Sequence, residues 1–222
     1  SYPYDVPSFF QHKRTYEREE FLWDISDAAG LELDKLSKNH KRNIKKAEKF
    51  QLSIQSGSDL AFLDAHIKML GHSSERRFLT GGVREHYRRQ RDRLERSLRS
   101  GHGKIWQAIY QGETVSSVLL LGSGPRRYYQ SGGTSEAGMN IGASQWLFWN
   151  LTSKLREEGA TLINLAGVSK GQEGLRRFKE GFNSMPVTLS NVYFDKFSDN
   201  KMGKVITLAL KIFSISFNRI KR

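Results

Sequence analysis

The chain has 222 residues, 37% of them hydrophobic and 11% aromatic, which is enough for one cored domain and excludes wholesale disorder. Thirty-six Lys and Arg against 23 Asp and Glu leave a net charge of +13, which serves either plain solubility or a polyanionic partner: nucleic acid, an acidic lipid surface or phosphorylated substrates. There is no cysteine, so disulfides, thiolate catalysis and Cys-ligated zinc are excluded.

Residues 2–7 spell YPYDVP, the opening of a common epitope tag, and carry no structural signal. Residues 21–26 (FLWDIS) read as a short strand closing an N-terminal segment, 1–30, ahead of a main domain at 31–197. Residues 31–50 read as a helix with Leu33, Leu36, Ile44 and Ala47 on one side. Its other side is unusual: seven cations fall between Lys35 and Lys49, with Glu48 the one acid among them. Lys38, Arg42, Lys45 and Lys49 share a face, which suits either plain solvation or phosphate contact.

Residues 51–55 alternate as a strand. Ser58 or Asp59 then caps a helix with Leu60, Leu63, Ile67 and Leu70 as its core stripe. Residues 84–99 carry seven arginines against Glu85, Asp92 and Glu95, and read as a solvated, ion-paired helix. Residues 105–110 and 114–121 form a hairpin, and the unbroken apolar run 118–121 marks a central strand covered on both faces. A third strand at 127–131 leads into a glycine-bearing loop, 132–142. A helix follows at 143–158 with Gly159 as its C-cap, then a buried strand at 161–165, a short basic helix at 173–182 and a last strand at 187–197. The strand–loop–helix order sets backbone N–H groups of a helix start beside a strand end, a place suited to an anionic ligand.

Residues 198–222 form a basic tail. In its 205–220 stretch Phe213, Ile215 and Phe217 alternate with serines as in a strand, while the polar stripe Thr207, Lys211, Ser214 and Asn218 favours an amphipathic helix, about 24 Å long at ~1.5 Å per residue. That helix suits docking on the protein itself or peripheral contact with an acidic membrane. No signal peptide and no apolar run of the ~20 residues that a membrane span needs is visible. The expected location is the cytoplasm or the inner face of the membrane. The six histidines (His12, His40, His66, His72, His86, His102) show no metal spacing, and no metal is expected.

The element order from residue 51 resembles the GNAT acyltransferase fold, an α/β (α+β) architecture with a mixed, mostly antiparallel sheet flanked by helices. Two segments narrow the resemblance. LSKNHKRNIKKA at 36–47 and GLRRFKEGF at 174–182 are similar to paired segments of the Fem peptidyltransferases and the BioF2-like, or CelD-like, acyltransferases. The resemblance implies an N-acyltransferase that moves an acyl or aminoacyl group from acyl-CoA (acetyl-CoA or longer) or aminoacyl-tRNA to a primary amine. The amine would belong to a cell-envelope or polysaccharide precursor.

The same resemblance implies donor contacts at Ser131, Gly132 and Gly133 on the strand, and at Asn140, Ile141, Gly142, Ala143 and Ser144 where the helix begins. Lys179 is implied to lie near the transferred group. For a base the residues offer Glu136 or Glu173, the latter on the same basic helix as Lys179, and Lys38, Arg42, Lys45 and Arg176 are candidate phosphate or substrate contacts. The usual coenzyme loop (Gln or Arg, two residues, Gly, one residue, Gly or Ala) is met here by Met139, Gly142 and Ser144, which keeps only the middle glycine. Both donors therefore stay open. So does a reading from another class, a non-catalytic module of this fold binding nucleic acid, tRNA included, through its basic helices.

Overall fold

The computed structural model describes residues 11–26, 33–75 and 83–195. The tail and the tag-like start lie outside the described residues. The helices and strands run β1 (Gln11–Asp24), α1 (Lys38–Ala47), β2 (Ser53–Gly57), α2 (Leu60–Glu75), α3 (Val83–Arg99), β3 (Gly103–Tyr110), β4 (Glu113–Leu121), β5 (Arg126–Thr134), α4 (Glu136–Ile141), α5 (Ala143–Glu157), β6 (Leu162–Gly167), α6 (Glu173–Glu180) and β7 (Met185–Asp195). The strands order as β2-β3-β4-β5-β6-β1-β7. Pairing is antiparallel for β2–β3, β3–β4, β4–β5 and β1–β6, and parallel for β5–β6. This is the mixed, mostly antiparallel α/β sheet that the element order implied.

Contacts divide the described residues into Glu20–Pro186 and a second unit made of 11–19 and 187–195. The first unit holds the core. Its sheet has an apolar layer on each face, and the alternation along β3 and β4 sorts side chains between them. Trp106, Ala108, Val118 and Leu120 join the cluster under α1 and α5, which includes Ile44, Leu147, Leu151 and Leu155. Ile105 and Leu119 join Leu63, Leu70, Leu94 and Leu98 under α2 and α3. The apolar run in β4 is thus what two-faced burial requires. Each such Leu or Ile, fully buried, stabilises by roughly 1.5–3 kcal/mol.

Local chemistry sets the boundaries. In the β3–β4 hairpin Gln111 and Gly112 both have positive φ, 51° and 81°, the type I′ turn that matches strand twist. The Asp59 carboxylate accepts from the Phe62 N–H at 3.1 Å and caps α2. Gly159 closes α5 at φ 79°, with the Ala160 N–H donating back to the Leu155 carbonyl.

Four expectations change. The helix expected at 31–50 is α1 flanked by two 3-10 turns, because Ser37 accepts from the His40 N–H and restarts the helix there. Leu60 is exposed at 53%; Leu63 and Leu70 are buried with Ile67 packed against them, and His66 and Met69 join that buried side. β1 begins at Gln11 rather than 21, since ladder bonds come from the backbone and the polar run before Phe21 does not forbid them. The loop at 132–142 is replaced by the end of β5 and by α4, which Ser135 caps through the Gly138 N–H.

Candidate active site

β5 and β6 are neighbours only at their beginnings. Arg126, Arg127 and Tyr128 face Leu162, Ile163 and Asn164, and past those pairs the strands part. The register of β5 on β4 shifts at the same place, from Leu120↔Tyr129 to Leu119↔Ser131, leaving Gln130 as an extra residue. A bulge sharpens local twist and turns the bulged strand. The crossover through α4 and α5 fills the far side. Beside this stretch of β5 lies a cavity of about 340 Å³, lined from β4, β5, α5 and α6 with single residues of α1, α2 and α4.

Part of its wall is aromatic and apolar, from Val118 of β4, Tyr129 of β5, Met139 of α4, Phe148 of α5, and Leu175 and Phe178 of α6. The rest is uncharged and polar: Asn43, Ser73, Ser116, Ser117, Thr134, Ser144 and Gln145, with Gly132 and Gly133 at the strand edge. Among the described residues no carboxylate, ammonium, guanidinium or imidazole lines it. Ser144 and Gln145 stand in the first turn of α5, whose N-cap, Gly142, supplies no side-chain hydrogen bond. The positive end of that helix therefore opens on the cavity.

Of the expected donor contacts, Gly132, Gly133 and Ser144 line the cavity. Ser131 adjoins it, its Oγ 2.9 Å from His66 Nε2. Asn140 is exposed on α4, and Ile141 and Ala143 are core residues. Gly142, at φ 79°, joins α4 to α5, and a Cβ there would meet the Asn43 carbonyl oxygen at 2.5 Å. Gly133 is needed for packing, since a Cβ would lie 2.1 Å from the Met69 carbonyl oxygen of α2.

Lys179 is buried outside the lining. Its Nζ donates to the carbonyls of Ala166 at 3.0 Å and Gly167 at 2.6 Å, where β6 ends. Burial pulls its pKa down to about 8 against the opposing pull of the Glu20 carboxylate. Glu173 is exposed in the first turn of α6. Lys38, Arg42 and Lys45 are exposed on α1, with Arg42 donating to Asn39 Oδ1 at 2.8 Å. Arg176 pairs with Glu180 at 2.9 Å and stacks over Phe21. The structure thus does not bring the two candidate catalytic residues together with the cavity-lining ones.

Two histidines stand out that sequence alone did not single out. His40 and His66 are both buried, and burial lowers each pKa to about 4, so both are neutral. His40 Nε2 meets the Phe178 carbonyl oxygen at 2.8 Å, its ring lies edge-on to Phe182, and Nδ1 is 3.2 Å from Ser37 Oγ. The Ser37 N–H donates to the Gly181 carbonyl at 2.9 Å. The signal for each was helical spacing: His40 falls in the stripe Leu36, Ile44, Ala47, and His66 falls between Leu63 and Leu70.

The sequence profile described as an acetyltransferase (GNAT) domain matches residues 34–180. The chain belongs to this family. The paired segments at 36–47 and 174–182 are the two that His40 and Ser37 tie together. The chain is similar in structure to FemX (15% identity, TM-score 0.66, 84% of this chain and 66% of that one). It is also similar to a conserved protein of unknown function from Bacteroides thetaiotaomicron (14%, 0.61, 85% and 63%). A third likeness is to L-PGS from Bacillus licheniformis (17%, 0.54, 82% and 62%). At these identities the likeness speaks for the fold. The chain spans 66%, 63% and 62% of those three structures. No curated protein matches it in sequence.

An acyl-carrier thioester fits the residues present. The cavity has room for an acyl chain and its linkage, and a helix start faces it for an anionic group. Among the described residues no cluster of His, Asp or Glu could hold a metal, and no helix is long and apolar enough to cross a membrane.

Proposed function

We propose that the chain is an N-acyltransferase that takes an acyl group without a free ammonium from acyl-CoA and joins it to a primary amine. The observation that carries this is the wall of the cavity beside β5, part aromatic and apolar, part hydroxyl-bearing, and without an ionic side chain among the described residues. An aminoacyl donor would bring an α-ammonium to a wall where no described residue offers a carboxylate, and an unpaired buried charge is strongly disfavoured. That favours acyl-CoA over aminoacyl-tRNA.

CoA supplies the activated acyl thioester; everything else falls to the chain. Beyond Tyr128, β5 has no β6 residue opposite, and in a strand alternate N–H groups point to opposite neighbours. N–H groups on the β6 side of Ser131–Gly133 are therefore the oxyanion donors in this reading, a contribution of ~3–4 kcal/mol to the barrier. Ser144 and Gln145 receive a phosphate at the start of α5. Tyr129, Phe148 and Phe178 keep water from the thioester. Glu173, two residues before the cavity-lining Leu175, takes the amine proton through water. Lys179 acts by holding the end of β6. Lys38, Arg42, Lys45 and Arg176 grip phosphates of a cell-envelope or polysaccharide precursor that carries the amine, with peripheral contact at an acidic membrane through the basic tail.

Calorimetry with butyryl-CoA and β-alanyl-CoA, which differ by methyl against ammonium, tests the donor. Transfer to a panel of primary amines is read by thiol release, with no protein thiol to interfere because the chain lacks cysteine. Tighter binding of butyryl-CoA, with turnover, is expected. Binding of a charged tRNA mimic and of neither thioester would overturn the reading. The exposed cations of α1 favour one other role, nucleic-acid binding without chemistry, which predicts steeply salt-dependent affinity for tRNA and no thiol release.

A further inference from the structure

The GNAT strand that borders the cavity is held from behind at three successive places by one face of α2. His66, Met69 and Ser73 occupy positions i, i+3 and i+7 of that helix, and each meets β5. His66 Nε2 lies 2.9 Å from Ser131 Oγ, the Met69 carbonyl fills the space a Gly133 side chain would need, and Ser73 Oγ accepts from the Thr134 N–H at 3.2 Å. The other ring nitrogen of His66, Nδ1, reaches Ser117 Oγ on β4 at 2.8 Å. One buried imidazole therefore ties two neighbouring strands beside the Gln130 bulge, where β5 turns away from β6. Leucines flank it at 63 and 70 in the same core cluster, so packing alone would be served by a further leucine. A polar ring buried there loses hydration, and its two hydroxyl partners offset that loss only in one arrangement of the strands.

We infer that His66 is a positioning residue for acyl transfer, acting through Ser131 to fix the Ser131–Gly133 backbone against the transferred carbonyl. This rests on the acyltransferase reading of the cavity. Ser131 is the partner that matters, because it lies on β5, the strand whose N–H groups serve the carbonyl in this reading, whereas Ser117, which also lines the cavity, lies on β4 and is paired on both sides. Glutamine at 66 reaches about as far as Nε2 and can serve Ser131, while asparagine reaches only toward the Nδ1 partner, Ser117.

The test compares His66→Leu, His66→Gln, His66→Asn and Ser131→Ala by thermal melting, CoA calorimetry, butyryl-CoA turnover and amide hydrogen exchange. His66→Leu should stay folded and bind CoA within about threefold of the parent, with kcat down 10- to 100-fold and donor KM little changed. His66→Gln should recover most of kcat and His66→Asn should not, and Ser131→Ala should match His66→Leu. Unchanged kcat in a folded His66→Leu, or equal loss in the Gln and Asn variants, overturns the inference. If the parent neither binds nor turns over acyl-CoA, the function reading fails instead. Exchange then decides the positioning claim: His66→Leu should speed exchange at residues 131–133 at least tenfold and leave 126–128 unchanged, and uniform exchange along β5 refutes it.

Discussion

His40 Nε2 donates to the Phe178 carbonyl across 2.8 Å, and this bond joins the first basic helix to the last helix before the site. A carbonyl only accepts, so the ring carries its proton on Nε2, which leaves Nδ1 to accept from the Ser37 hydroxyl at 3.2 Å. The two segments that carry the family resemblance thus meet through one neutral imidazole. Replacing His40 with Ala removes both bonds, strands a carbonyl and opens a void beside Phe182. Urea unfolding should show a loss of about 2–4 kcal/mol. Gly181→Ala should act in the same direction, since a Cβ would meet the His40 ring at 2.4 Å.

The two buried histidines predict a pH dependence of stability. Both hold folded pKa values of about 4, while the unfolded chain titrates near 6.5. Between these values the unfolded state binds protons that the folded state refuses. Stability is then full above pH 6.5 and falls as pH drops toward 4, at up to about 1.4 kcal/mol per pH unit per histidine. Melting temperatures across pH 4–7 should show the decline, and His66→Gln should make it shallower.

Ala166 sits at φ 62°, a conformation that a side chain with a Cβ resists. Its N–H donates to Asn164 Oδ1 at 2.8 Å and its carbonyl accepts from Lys179 Nζ, so neighbours impose the geometry. Ala166→Gly should therefore raise stability by about 1 kcal/mol. Lys179→Met should lower it by about 1–3 kcal/mol for each carbonyl left bare. Denaturant titration of the pair checks both signs.

The exposed cations of α1 predict effects on binding without effects on folding. Reversing Lys38, Arg42 and Lys45 to Glu should leave the melting temperature within a few degrees, because exposed pairs contribute only ~0–1 kcal/mol. Affinity for a phosphate-bearing acceptor should fall severalfold and lose its salt dependence. Unaltered affinity in the triple variant would remove α1 from the substrate surface.

Much of the fold was legible because its signals are local. The unbroken apolar run of β4 announced a strand covered on both faces, and the stripe of Leu36, Ile44 and Ala47 set the buried side of α1. The site was less legible because its parts meet only in three dimensions. Gly133 reads as a gap left for a ligand, yet the Met69 carbonyl of α2 takes that space. Lys179 reads as a surface or catalytic cation on a basic helix, and only the chain reversal after β6 brings two carbonyls to its ammonium. His66 is one polar letter in an apolar stripe, and its partners are 51 and 65 residues away.

The clasp around His40 also sets how short a working fragment can be. Phe182 stacks on Trp23 with ring centroids 4.6 Å apart, and the Ser184 hydroxyl donates to the Lys179 carbonyl. A fragment trimmed to residues 34–180 would cut away Trp23, Gly181, Phe182 and Ser184 together, baring one aromatic face of the interior to water. Such a fragment should be sticky and prone to aggregate, whereas one running from Glu20 to Pro186 keeps that seam closed.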